Sequence, residues 1–270
     1  MSAISLAVRR PFNWEVLLFV LVLVVPASYA IIPYSLTLTS TTLKPDELPS
    51  VMIGVLVNAL ITGGLAGIGL FFAARIGLGL PFVEGWVKRE PTQSRFRRAF
   101  VVSVLVGVVA SLVIIVLDTF VFGPPLAAEL DRLGIVLPAT IRPPAWQGLL
   151  ASFSAGVNEE VMFRLFGVSL LAWLGSLVSR DSEGRPRPAV LWIAIAVIAV
   201  AFGLAHLPAT AAIGLPLDAL VITRAIVLNG VGGVAFGWLY WRRGLESAMV
   251  GHISADLVLH VLLVLALRGW

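Results

Sequence analysis

Seven stretches of this chain stay apolar for about 20 residues or more, the length an α-helix needs to cross a hydrocarbon core about 30 Å thick. They run approximately over 14–35, 51–75, 99–122, 146–174, 189–207, 217–241 and 245–267. The separators are polar or proline-rich, as in "TSTTLKPDELPS", "VKREPTQSRFRR", "GPPLAAELDRLGIVLPATIRPP", "SRDSEGRPRP" and "WRRGLES", and none is long enough for a separate soluble domain. Only 13% of the 270 residues are charged and 59% are hydrophobic, too little polar material to cover a soluble fold of this size. Lipid offers no partner to a bare backbone N–H or C=O, so apolar spans of this length fold as helices. The expectation is an all-α, polytopic membrane bundle of about seven transmembrane helices, with residues 1–270 forming one membrane domain.

The basic residues support that reading. A formal charge of +4 could suggest nucleic acid, but Lys and Arg sit in short clusters between apolar runs, where orienting charges belong. Nucleic acid is excluded as a partner. Arg9, Arg10, Arg75, Lys88, Arg89, Arg95, Arg97, Arg98, Arg180, Arg185, Arg187, Arg242 and Arg243 fall on one side of the bundle. Lys44, Arg132, Arg142 and Arg268 fall on the other. Because cytoplasmic loops retain positive charge, the sequence predicts a cytoplasmic N-terminus and an outward C-terminus in the inner or plasma membrane. The first segment, "RRPFNWEVLLFVLVLVVPASYA", also has the basic start and small-x-small ending of a signal peptide. With six further spans behind it, it is read as an uncleaved helix. Gly63 with Gly67 and Gly233 with Gly237 have the spacing that lets helices approach closely in lipid. The absence of cysteine removes disulfides, thiolate metal sites and a Cys nucleophile.

Against this apolar background, "GVNEEVMFRLF" at 156–166 places Glu159, Glu160 and Arg164 inside the fourth span. A charge at mid-bilayer costs about 2.5–3.5 kcal/mol on insertion scales, so such groups face a protein interior or a wet cavity. Glu160 and Arg164 are four residues apart in the favourable acid-first order. Glu159 lies about 100° further round the helix, which leaves one paired acid and one unassigned. A buried ion network would explain the trio equally well. The three histidines add to it: His206 closes the fifth span in "AFGLAHLPA", and His252 and His260 lie in "VGHISADLVLH" with Asp256 between them at four-residue steps. A carboxylate one turn from an imidazole can fix its tautomer and raise its basicity. Arg224 and Asn229 either line the same cavity or, for the arginine, snorkel to the helix end. Asp118 sits near the outer end of its span.

Three pieces thus occur in order: "EEVMFR" at 159–164, "FGLAH" at 202–206 and "HISAD" at 252–256. Together they resemble the CPBP family of intramembrane proteases, which includes CAAX prenyl endopeptidases and bacteriocin-processing or self-immunity proteins. The resemblance covers roughly 146–260. It implies peptide hydrolysis in a membrane cavity, with Glu159 activating water and His206 and His252 orienting it, binding a metal or stabilising the oxyanion. Asp256 stands where Asn is common in the family; an ionised Asp accepts hydrogen bonds but cannot donate them. Glu160 and Arg164 would brace the site. If the cofactor is zinc, its ligands would be Glu159, His206 and His252, although the H-E-x-x-H arrangement is absent. The implied partner is a peptide or membrane-associated protein, prenylated where the activity is of the CAAX type. A scaffold or immunity protein, or a proton-coupled transporter, would use similar buried charges for other ends. One geometric condition must hold: His252 falls in the inner half of its span and His206 near the outer end, so the fifth helix must tilt or begin outside the lipid.

Overall fold

The computed structural model describes residues 12–135 and 143–268; Arg9, Arg10 and Arg142, which contribute to the charge asymmetry, lie outside these. Among the described residues, long helices dominate. Asn13 starts α1 (Trp14–Ala30) by accepting the backbone N–H groups of Glu15 and Val16. A break at Ile31 leads into α2 (Ile32–Leu38), and α3 (Leu48–Ile76), α4 (Pro81–Val87) and α5 (Gln93–Leu117) follow. A π-helical turn, Asp118–Phe122, then carries the chain straight into α6 (Gly123–Leu133). The sequence reading treats 123 onward as an interruption. The helix continues because Pro124 and Pro125 occupy its first positions, where a missing N–H costs least.

After the undescribed 136–142, α7 (Ala145–Glu159), a π segment Glu160–Val168 and α8 (Ser169–Ser176) form one unbroken helical rod. The remaining helices are α9 (Pro188–Ala205), α10 (Leu207–Ala212), α11 (Ala219–Arg243) and α12 (Leu245–Asp256). A third π segment, Leu257–Leu262, then runs into α13 (Leu263–Arg268). α9 ends at Ala205, just before Pro208, which sits in the first turn of α10, and His206 occupies the bend between the two helices.

Among the described residues, six helical stretches are long and apolar enough to cross a membrane: Trp14–Leu38, Leu48–Ile76, Gln93–Leu133, Pro188–Ala212, Ala219–Arg243 and Leu245–Leu267. They turn large apolar side chains outward, Leu60 at 67% exposure and Phe120 at 74% among them, as lipid-facing surfaces do. The rod from Ala145 to Ser176 is the exception among the seven expected spans. It buries Gln147, Ser152, Ser154, Asn158, Glu160 and Arg164, so its polarity points inward and lowers its hydropathy. The chain is a polytopic membrane bundle with this polar rod inside it.

Small residues set the positions of the helices that matter for the site. A Cβ on Gly233 would fall 2.6 Å from the Ala199 Cβ, and one on Gly237 would fall 2.7 Å from Ile195, so α11 lies directly on α9. Gly63 makes the same kind of approach to Leu21 of α1. Gly156 faces Ile253 and Met249, bringing α12 onto the rod at the level of Glu159 and Glu160. The α11–α12 connection is a single residue, Gly244, with φ +95°. That sharp turn places α12 beside α11, so His252 enters the bundle between α11 and the rod.

Candidate active site

The site is built around a buried carboxylate. Glu160 is fully buried, and its Oε1 accepts the Nδ1–H of His252 at 2.7 Å while Arg164 Nη1 approaches the same oxygen at 3.0 Å. The pairing of Glu160 with Arg164 is the one their spacing predicts. Burial raises the cost of separating them: removing one partner from a buried pair typically costs about 3–5 kcal/mol, because the other charge is stranded. Arg164 is further held by the Gly232 carbonyl, to which Nη2 donates at 3.4 Å. Its guanidinium lies 4.5 Å from the Phe202 ring centroid and 5.5 Å from that of Phe236. The rod changes from α-helix to π-helix at Glu160, a distortion frequent at functional positions.

Glu159 is placed differently. Its side chain remains 27% exposed, and its Oε2 lies 3.8 Å from His252 Nε2, beyond a direct hydrogen bond. Asp256 Oδ2 lies 3.7 Å from the same nitrogen. His252 therefore spends Nδ1 on Glu160 and turns Nε2 toward two carboxylates, neither of which it reaches. Phe236 stacks on the imidazole at a centroid distance of 4.7 Å and an interplanar angle of 21°, which fixes the ring plane.

His206 joins from the α9–α10 bend. Its Nδ1 lies 2.7 Å from the Phe202 carbonyl oxygen; a carbonyl can only accept, so Nδ1 carries a proton and Nε2 is the nitrogen left for other partners. The Phe202 ring is in edge contact with both histidines, at 4.8 Å from His206 and 6.0 Å from His252. The two motif histidines are thus brought against one phenyl ring, where α9 ends. The structure therefore gathers Glu159, Glu160, Arg164, His206, His252 and Asp256 into one region.

Other candidates lie elsewhere. Arg224 forms a two-pronged pair with Asp118, Nε to Oδ1 at 2.7 Å and Nη2 to Oδ2 at 2.8 Å, joining α11 to the π turn after α5. Asn229 donates to the Ala225 carbonyl of its own helix at 2.8 Å. His260 meets Tyr34 of α2, Nδ1 to hydroxyl 3.3 Å. Residue spacing alone did not single out Phe236, nor Asn158, which lies beside Glu159 and is tied to Ser28 and Ser154 at 3.4 Å each. An asparagine next to two glutamates in an apolar rod was the available signal for the second.

The donor set was tested against zinc. Among the described residues, no group of three His, Cys, Asp or Glu side chains is placed to hold a metal ion. Glu159, His206 and His252 do not fit as a ready-made zinc triad.

Comparison with known proteins bears on the same residues. Residues 141–258 match the family described as type II CAAX prenyl endopeptidase, Rce1-like. The similarity is confined to that segment, less than half of the chain. The segment contains the whole Glu159-to-Asp256 constellation. No curated protein and no solved structure gives a significant match to the chain.

Proposed function

We propose that the chain hydrolyses a peptide bond in a peptide or membrane-associated protein, using water activated by Glu159 inside the bundle. The observation that carries this reading is the division of labour between adjacent acids. Glu160 is consumed by Arg164 and His252, whereas Glu159 is part-exposed, unpaired within hydrogen-bond distance and turned toward the same imidazole. In this mechanism a Glu159 oxygen takes a proton from water while the water oxygen attacks the scissile carbonyl carbon. His252, when it carries a proton on Nε2, donates to the developing oxyanion, and Asp256 keeps that N–H aimed from one turn away. His206 offers Nε2 to position the water, its other nitrogen being fixed on the Phe202 carbonyl. The C–N bond then breaks as Glu159 returns its proton to the leaving nitrogen. Glu160 and Arg164 hold His252 in place without touching substrate.

The helix ends carrying Arg75, Arg95, Arg97, Arg98, Arg242 and Arg243 face the cytoplasm in this reading, in the inner or plasma membrane. A prenylated C-terminal cysteine on the substrate fits the family's description. The test is a comparison of protein termini in membranes of deletion cells carrying wild type or Glu159→Gln at equal expression. New termini found only with wild type support the reading. Equal rescue of the deletion phenotype by both, with identical termini, would transfer the assignment to a scaffold.

A further inference from the structure

We propose that the cavity between the start of α5 and the end of α11 binds the headgroup of an anionic membrane phospholipid. Its volume is about 1260 Å³, and Arg95, Arg97 and Arg98 of α5 line it together with Arg242 and Arg243 of α11. Among the described residues, no aspartate or glutamate lines it. An apolar wall is supplied by Pro81 and Phe82 of α4 and by Val101 and Val102 one turn further along α5.

Charges that merely orient a membrane protein need only be on the correct side. These five converge on one cavity, and among the described residues none of them forms a salt bridge. The nearby carboxylate that could have neutralised them, Glu246, instead accepts the backbone N–H groups of Phe82 and Val83 at 2.9 Å each. The Nε of Arg243 is buried with no partner. The guanidinium of Arg242 lies 5.3 Å from the Trp241 ring and that of Arg243 lies 5.9 Å from Trp238, contacts that steady both groups and leave their N–H edges for an acceptor. Arginine presents a planar fork of donors that matches phosphate oxygens in pairs.

The apolar wall favours a lipid over a soluble anion. It runs into the outward face of α5, where Phe96 is 42% exposed and Val101 51%. Phe82 meets Phe96 edge-on at 5.3 Å. A free phosphate would use the arginines and leave that wall bare, whereas a phospholipid uses both. The chemistry is that of a basic pocket at a membrane face, which holds anionic headgroups. This inference stands apart from the proteolytic reading and needs none of its residues.

The experiment is native mass spectrometry of the full chain in a neutral detergent, titrated with phosphatidylglycerol, phosphatidylcholine or glycerol phosphate. Wild type should bind phosphatidylglycerol in preference to phosphatidylcholine. Each arginine removed should weaken that binding about fivefold. The double variant Arg97→Gln/Arg98→Gln should therefore lose about 25-fold, and Arg97→Lys/Arg98→Lys, which retains the charge, should lose less. Lys88→Gln/Arg89→Gln, on the same end but outside the cavity, should bind like wild type. Unchanged binding in the cavity variant, or an equal loss in the control, would overturn the proposal in favour of unspecific surface attraction. Glycerol phosphate competing as well as the whole lipid would overturn it in favour of a soluble-anion site. Displacement of the lipid by an acidic peptide that binds more tightly would overturn it in favour of a protein partner.

Discussion

Two arginine–carboxylate pairs in the bundle, one joining α11 to the π turn after α5 and one within the rod, differ in what surrounds them. Asp118 and Arg224 satisfy each other through two short bonds, with side chains 39% and 26% exposed and a partner for each charge. Around Arg164, three carboxylates, Glu159, Glu160 and Asp256, face one guanidinium and one imidazole, and Arg164 and Glu160 are almost completely buried. A balanced pair ties two helices together and leaves nothing over for chemistry. An excess of acid in a buried place leaves Glu159 and Asp256 turned toward a histidine nitrogen that neither reaches. The surplus, rather than the presence of charge in an apolar helix, distinguishes the candidate active site.

The sharpest way to break this contrast is to remove the surplus acid. Glu159→Gln should keep the fold and lower the peptidase rate by about a hundredfold to ten-thousandfold, the range a general base supplies. Single-turnover cleavage of a substrate found by terminus mapping would measure it, and a rate within threefold of wild type would remove Glu159 from the chemistry. Next in size is Arg164→Met, expected to cost about 3–5 kcal/mol of stability by stranding Glu160. Thermal unfolding in detergent checks this. Adding Glu160→Gln should recover part of the loss, because Gln keeps a carbonyl for the His252 N–H while removing the buried charge. A double variant as unstable as Arg164→Met alone would show that the pair is not coupled in the way its 3.0 Å approach implies.

How far the sequence reveals all this depends on whether an interaction lies within one helix. Six of the seven apolar stretches emerge as long apolar helices because length and hydropathy are local properties. Glu160 with Arg164 was legible for the same reason, both being on one rod at a helical spacing. The stack of Phe236 on His252 was not, since it depends on the rotation of α11 against α12, which the turn at Gly244 decides. Asp118 and Arg224 each stood out as a charge in or near a span, but nothing in either segment says that the two helices meet. The π turns are equally silent: each begins at or just after an acid, Asp118, Glu160 or Asp256, yet each follows from packing between helices. Proline misled at Pro124, because the same residue that ends one helix is well tolerated in the first turn of the next.

The balanced pair sharpens the comparison from the other side. Arg224→Gln should cost about 1 kcal/mol, the upper end for an accessible pair, and should leave the peptidase rate within twofold of wild type. Exchanging the charges with Asp118→Arg/Arg224→Asp should restore part of the stability. A large rate loss on breaking this pair would mean that the two charged regions act as one, and the distinction between them would fail.

The smallest effect should come from Tyr34 and His260, where a ring nitrogen and a hydroxyl meet at 3.3 Å, long for such a bond, across the gap between α2 and the last π segment. Tyr34→Phe removes the hydroxyl and keeps the ring that packs edge-on against His260 at 5.6 Å. The expected cost is about 0.5 kcal/mol, the low end for a neutral hydrogen bond, and the pH profile of the peptidase should not move. His260 follows Asp256 at the same four-residue step that separates Asp256 from His252, so spacing alone would enlist it. Its bond to Tyr34 turns it instead toward α2. A shifted pH profile in Tyr34→Phe would show that His260 communicates with Asp256 after all, and would extend the acid-rich region by one more turn of the helix.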